Sequence, residues 1–299
     1  MDAQQDRKAL ATGSPLLAIA MLLVAMLSVQ GGASIAKTLF PVLGATNVAV
    51  LRILFSTLFM AVVLRPWKIR LNRDNWRPLL LYGVTLGTMN LSFYQALERI
   101  PLGIAVAIEF VGPLGVAIAA SRRTVDFLWA LLALAGLALL TPIGPDSHDL
   151  DPVGMGFALL AGLCWAVYIL AGQRAGQDHG PRSAAVGMVI SSFIALPFGV
   201  ASASSLSVLL PVLPLALAVA LFSSALPYTL EMIALPRLPA ATFGILMSLE
   251  PAIAAIIGAL VLQEHLPLLH WVAILAVMGA SAGAVLTAAT RAVRTTDAP

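Results

Sequence analysis

Two glutamates stand in stretches that are otherwise almost wholly apolar. Glu109 lies within Pro101-Leu-Gly-Ile-Ala-Val-Ala-Ile-Glu109-Phe-Val-Gly-Pro113, and Glu250 within Pro239-Ala-Ala-Thr-Phe-Gly-Ile-Leu-Met-Ser-Leu-Glu250-Pro251. A shift of 138 residues carries Ala96, Leu97, Arg99, Pro101 and Pro113 onto Ala234, Leu235, Arg237, Pro239 and Pro251. In that shared frame the two carboxylates fall three residues apart, and positions i and i+3 share one helix face. A charge at the centre of a membrane span costs about 2.5–3.5 kcal/mol on insertion scales, so it usually faces a cavity or a partner. Two acids so placed could exchange protons and hold a cationic group. The alternative is a structural hydrogen bond or ion pair between helices.

Other residues could share that chemistry. Arg52 lies too deep in an apolar segment to be an ordinary loop residue. It could bind a substrate carboxylate bidentately, pair with Glu109, or snorkel to the surface. Gln30 with Ser34, Asn90 with Tyr94, Trp165 with Tyr168, and Tyr228 with Glu231 place polar and aromatic groups inside apolar segments. Such groups can orient a small polar solute, or bond helix to helix at about 0.6 kcal/mol each. Pro113, Pro251 and Pro227 each remove a backbone hydrogen bond and kink a helix. The carbonyls they free line a cavity or are re-satisfied by neighbouring helices. Lys37 and Arg174 fall at expected helix ends, where cations complement the helix dipole. Gly83-x-x-x-Gly87 and Gly279-x-x-x-Gly283 let helices approach closely, which is packing.

The elements that position these residues follow from composition. Of 299 residues, 60% are hydrophobic and 10% charged, against roughly 25% charged in a soluble domain. Mean hydropathy is +0.96. So little polar surface cannot cover a water-soluble globule, and an all-α integral membrane protein is expected. The formal charge of +3 then reflects membrane topology rather than nucleic-acid binding. The single Cys164 excludes an intrachain disulfide and a Cys-rich metal site. The four histidines, His148, His179, His265 and His270, lack metal-ligand spacing. The chain has no phosphate-binding Gly-rich loop, no Gly-x-Ser-x-Gly and no His-Glu-x-x-His. No metal or cofactor is expected.

A span needs about 20 mainly apolar residues. Ten segments meet this: 16–36, 46–64, 78–97, 102–121, 125–142, 153–173, 184–200, 210–232, 239–262 and 269–288. Breaks fall at Phe40-Pro41, Arg65-Pro66, Arg122-Arg123, Gly144–Asp151, His179-Gly180-Pro181, Ser202–Ser207 and Glu264–Pro267. The first segment follows Arg7-Lys8 and is read as an uncleaved span, being long for a signal peptide. With the N-terminal tail (1–15) in the cytoplasm, fourteen of the 17 Lys and Arg residues fall on inside loops and tails. Lys37 and Arg99 fall outside, and Arg52 within a span. The positive-inside rule then makes the C-terminal tail (289–299) cytoplasmic as well.

The repeat extends beyond the two glutamates. At a shift of 137, Leu22-Leu23 meets Leu159-Leu160 and Lys37 meets Arg174. Two units of five spans, 16–142 and 153–288, are expected. An odd number of spans makes the second copy enter from the opposite side, as in the inverted repeats of secondary transporters.

These residues resemble the drug/metabolite transporter superfamily, in its EamA-type branch. Within that branch the match is closest to bacterial exporters of threonine and homoserine. The resemblance rests on Ser28-Val-Gln-Gly-Gly-Ala-Ser34, the Pro101 stretch, Glu109-Phe-x-Gly-Pro113 and Ser121-Arg-Arg-x-Val-Asp-Phe127. It continues through Tyr168-Ile-Leu-x-Gly-Gln-Arg-Ala-Gly176, Ala225-Leu-Pro-Tyr-x-Leu-Glu-Met-Ile-Ala-Leu235 and Met247-Ser-x-Glu-Pro251. It covers nearly the whole chain apart from the tails and the loops Gly144–Asp151 and Ser202–Ser207. The resemblance implies an inner-membrane, non-enzymatic carrier of ten helices, exporting small amino acids by alternating access with proton antiport. Its partners would be a small amino acid, protons and the bilayer, with a homodimer left open. In that reading Glu109 and Glu250 exchange protons and hold the substrate ammonium, and Arg52 takes its carboxylate. Gln30, Asn90, Tyr94 and Tyr168 shape the cavity. The alternatives are an EamA-type exporter of another metabolite or a drug-like cation, a channel, and a membrane-embedded enzyme.

Overall fold

Proline and glycine punctuate the chain, and the helices fall between them. The computed structural model describes residues 15–69, 76–119, 124–140, 150–179, 182–201, 206–234 and 246–296. Helix α1 (Pro15–Thr38) opens on a proline, whose missing N–H costs nothing in a first turn. A short α2 (Phe40–Leu43) ends at Gly44, which takes φ +76° and returns its N–H to the Phe40 carbonyl. Helix α3 (Ala45–Leu64) stops at Arg65 in the left-handed region, immediately before Pro66. Helix α4 (Trp76–Arg99) leads through Ile100-Pro101 into α5 (Leu102–Glu109) and α6 (Val111–Ala119). The first half closes with α7 (Thr124–Leu140).

The second half runs α8 (Pro152–His179), α9 (Arg182–Ala201), α10 (Leu206–Ala220) and α11 (Leu226–Ala234). A π-turn over Leu221–Ala225 joins the last two. Helices α12 (Glu250–Val261) and α13 (Leu268–Thr296) complete the chain. Every described element is helix or turn, and the described residues contain no strand.

Among the described residues, five helices are long and apolar enough to cross a membrane: Leu16–Thr38, Ala45–Leu64, Pro152–Gly172, Arg182–Ala201 and Ser207–Glu231. Shorter apolar helices lie at Leu102–Val116, Phe127–Leu139, Glu250–Val261 and Leu268–Gly283. Large apolar side chains such as Leu58, Phe127, Phe193 and Leu260 point outward. In water such a surface would aggregate; in a bilayer it faces lipid.

The interior is built from small residues that let backbones touch. Gly83 and Gly87 of α4 abut Ile190, Ser191 and Ile194 of α9, and the Ser191 hydroxyl donates to the Gly83 carbonyl at 2.9 Å. The second glycine pair packs unevenly, with Gly283 tight against Trp129 and Gly279 only near Leu132. The largest core cluster gathers Ala33, Phe40, Tyr94, Ile104, Ala255 and Ile274.

Two expected spans are interrupted where continuous, kinked helices were expected. Segment 102–121 breaks at Phe110, directly after Glu109. Pro113 has no N–H to offer the Glu109 carbonyl, which removes one rung at that break. In segment 239–262 the described part begins at Leu246, turns at Ser248-Leu249, and restarts as α12 at Glu250-Pro251. The upstream part of that segment, Pro239–Ile245, lies outside the described residues. So do the expected inside cations Arg7, Lys8, Arg70, Arg73, Arg122, Arg123 and Arg237. Arg174 does not end its helix, because α8 continues to His179.

Candidate functional site

Pro227 sets the geometry on one side of the site. In a regular helix its N–H would bond the Ser223 carbonyl; proline has none. The chain bulges instead into the Leu221–Ala225 π-turn, with the Leu226 N–H returning to the Leu221 carbonyl. Such bulges often sit at functional positions. The freed Ser223 carbonyl faces α3, where Arg52 Nη2 donates to it at 3.4 Å. Arg52 Nε donates to the Ser224 hydroxyl at 2.8 Å. The guanidinium lies 5.1 Å from the centre of the Tyr94 ring, a cation–π contact. Arg52 is only 6% exposed, so it does not snorkel.

The carboxylates complete the group. Glu109 and Glu250 are buried, and Gln30 Nε2 donates to Glu250 Oε1 at 3.1 Å. Glu109 lies in the electrostatic fields of both Glu250 and Arg52. Among the described residues Arg52 makes no ion pair with either acid. Acid and base therefore share one group without neutralising each other directly. Among the described residues, four buried polar atoms there lack a hydrogen-bond partner: Gln30 Oε1, Tyr94 OH, Ser223 Oγ and Glu250 Oε2. A buried, unpaired polar atom costs about 1–3 kcal/mol, so the group holds unspent hydrogen-bonding capacity. All five side chains, Gln30, Arg52, Tyr94, Glu109 and Glu250, are buried.

Five expected site residues, Gln30, Arg52, Tyr94, Glu109 and Glu250, are thus brought together. Asn90 is buried one turn before Tyr94 but spends its amide N–H on the Leu86 carbonyl of its own helix, at 2.8 Å. Tyr168 stands apart from the carboxylates. It stacks on Tyr82 with ring centres 4.7 Å apart and accepts the Tyr82 hydroxyl at 3.3 Å. Tyr228 and Glu231 lie within electrostatic reach of Glu250, so Glu109 and Glu250 are not the only acids near the group. Ser223, Ser224 and Tyr82 were not anticipated. The only signal for the serines is their place just before Pro227.

Nearby, an apolar groove of about 610 Å³ runs between α6 and α8, lined by Ile108, Val116, Leu159 and Leu163 among others. Among the described residues no polar side chain lines it, so it is distinct in chemistry from the Arg52 group.

The profile of the EamA-like transporter family matches residues 152–286. The threonine/homoserine exporter RhtA of Escherichia coli (strain K12) is 51% identical over 271 residues, 91% of this chain and 92% of the relative. RhtA of Salmonella typhimurium (strain LT2) matches at the same identity and coverage. The chain belongs to the EamA-like transporter family. It is a multi-pass membrane transporter and not an enzyme. A solved crystal structure at 16% identity superposes with a TM-score of 0.63, covering 91% of this chain and 98% of its own. That likeness bears on the fold alone.

Proposed function

We propose that this transporter exports threonine, homoserine and related small amino acids across a bacterial inner membrane, by alternating access with proton antiport. The observation that carries the reading is the buried group of Arg52, Glu109 and Glu250, oppositely charged yet not ion-paired. An amino-acid zwitterion has the complementary pattern. Arg52 retains unspent N–H donors for the carboxylate, while Glu250 Oε2 and Glu109 are the acceptors for the ammonium. The printed names of the relatives supply the same substrates.

The arrangement we propose is ten spans in two inverted repeats, 16–142 and 153–288, with both termini cytoplasmic. The family match over 152–286 supports the second unit. The breaks beside Glu109 and Glu250 support the inversion, since discontinuous helices commonly flank transporter binding sites near the midplane. Reporter fusions after Arg73, Arg122 and Arg291 should read cytoplasm, and those after Pro145 and Ser204 periplasm. A periplasmic C-terminus would defeat the topology.

Function is tested by counterflow of radiolabelled homoserine and threonine in proteoliposomes, with and without an imposed pH gradient. Counterflow of both, with accumulation following the gradient, is expected. Correctly inserted protein that moves neither amino acid overturns the substrate, and movement indifferent to the gradient overturns the coupling.

A further inference from the structure

A second polar group lies nearer the bundle end that carries the ends of α3 and α11 and the start of α4. Tyr82 of α4 and Tyr168 of α8 stack there, against a cluster that includes Met60, Leu64, Met188 and Tyr228. Glu231 follows Tyr228 by three residues on α11, which puts both on one helix face. Its carboxylate lies within the electrostatic reach of Tyr82, Tyr168, Tyr228 and Glu250. It is half-buried, and among the described residues it has no hydrogen bond or ion pair. A part-buried carboxylate packed among tyrosines with no cation bonded to it is costly unless a cation visits. Aromatic faces around a carboxylate are the composition of an ammonium site.

We propose that Tyr82, Tyr168, Tyr228 and Glu231 form a second binding site, for the ammonium group of a primary amine. The solute occupies it between the cytoplasm and the Arg52 group. The site rests on the carrier reading and orientation proposed above. No arginine or lysine bonds to these four residues among the described ones, and of the four Arg52 reaches only Tyr228 electrostatically, so the site reads the ammonium and leaves the carboxylate to Arg52. Its reach to Glu250 makes a path: the amine end leads, and the carboxylate is met only at Arg52.

The test is equilibrium binding of radiolabelled propylammonium, an amine without a carboxylate, to the full-length protein in detergent. Wild type should bind it, homoserine should compete, and N-acetylhomoserine should not. Glu231→Gln should weaken binding at least tenfold, whereas Phe193→Leu, on the lipid-facing surface, should retain it. Absence of binding to wild type, or undiminished binding to Glu231→Gln, would overturn the site. If Glu231→Gln fails to insert, Tyr228→Leu decides, because unchanged propylammonium affinity there rejects the aromatic cage. Homoserine counterflow on the same wild-type preparation separates the two readings. Counterflow without amine binding removes only this site, and absence of counterflow removes the carrier reading.

Discussion

Lys37 at the end of α1 and Glu264 beyond α12 form an ion pair of 2.7 Å across 227 residues of sequence. The other Glu264 oxygen accepts the Leu102 N–H at 2.9 Å, and Lys37 also donates to the Ile100 carbonyl at 3.0 Å. One carboxylate therefore caps the first turn of α5 and holds the end of α1. Expected only to complement a helix dipole, Lys37 instead ties three segments together at one end of the bundle.

The pair is part-exposed, at 22% and 12% for its side chains, so screening limits its strength. A double-mutant cycle of Lys37→Met and Glu264→Gln should give a coupling of about 1 kcal/mol, at the upper end for such pairs. Thermal unfolding in detergent at low and high salt measures it. Under the alternating-access cycle proposed above, this tie must part whenever that end opens. Glu264→Gln should therefore speed thiol labelling of a cysteine introduced at Leu102, in a background lacking Cys164. Zero coupling and unchanged labelling would reduce the pair to a surface contact.

Helix spacing at Glu109 depends on two glycines. A Cβ at Gly162 would collide with the Glu109 carbonyl, and one at Gly112 with the Gly162 carbonyl, whereas one at Gly115 meets nothing within 4 Å. Overpacking of this kind costs about 1–3 kcal/mol. Gly112→Ala and Gly162→Ala should each lower the unfolding temperature and membrane yield, and Gly115→Ala should change neither. Equal behaviour of all three variants would show that α5, α6 and α8 are not held so closely.

Arg52 depends on a defect. Pro227→Ala restores an N–H that can reclaim the Ser223 carbonyl and straighten the π-turn. Ser224→Ala deletes the Nε acceptor, a hydrogen bond to a charged group worth about 1.5–3 kcal/mol. Both should raise the homoserine KM in counterflow several-fold with a smaller change in maximal rate, because each releases the group proposed to receive the carboxylate. A fall in maximal rate alone would separate Arg52 from substrate binding.

The segments were legible because apolar runs of this length, bounded by Pro, Gly and Arg, have few readings other than membrane helices. Gln30, Arg52, Tyr94, Glu109 and Glu250 stood out for a related reason: a buried polar side chain in such a run needs a partner or a cavity. Sequence could not show who meets whom. Arg52 had three readings, and the choice was made by Ser224 and by the Ser223 carbonyl, 171 residues away and freed by Pro227, which no local pattern connects. Asn90 and Tyr168 were as conspicuous as Gln30, yet helix rotation turned one onto its own backbone and the other toward Tyr82. Glu231 was visible but close to a span end, where a carboxylate ordinarily needs no explanation.

The sharpest prediction concerns the two carboxylates at the helix breaks. Glutamine keeps the shape of glutamate but cannot titrate. At 250 the carbonyl oxygen of Gln still accepts from Gln30 Nε2, so Glu250→Gln preserves that 3.1 Å bond. At 109 the change removes the titratable carboxyl that lies in the fields of both Glu250 and Arg52. If proton and ammonium compete for these carboxylates, each variant should insert normally and lose accumulation driven by the pH gradient. Exchange of labelled for unlabelled homoserine at equilibrium then divides their roles. Exchange survives where the carboxylate serves mainly the proton, and fails where it also holds the ammonium. Glu250, whose free oxygen has no partner and whose other oxygen is fixed by Gln30, should be the one whose loss abolishes exchange. Glu109, facing both the acid and the base, should retain exchange and lose only coupling. Wild-type dependence on the pH gradient in both single variants would remove the proton from these residues altogether.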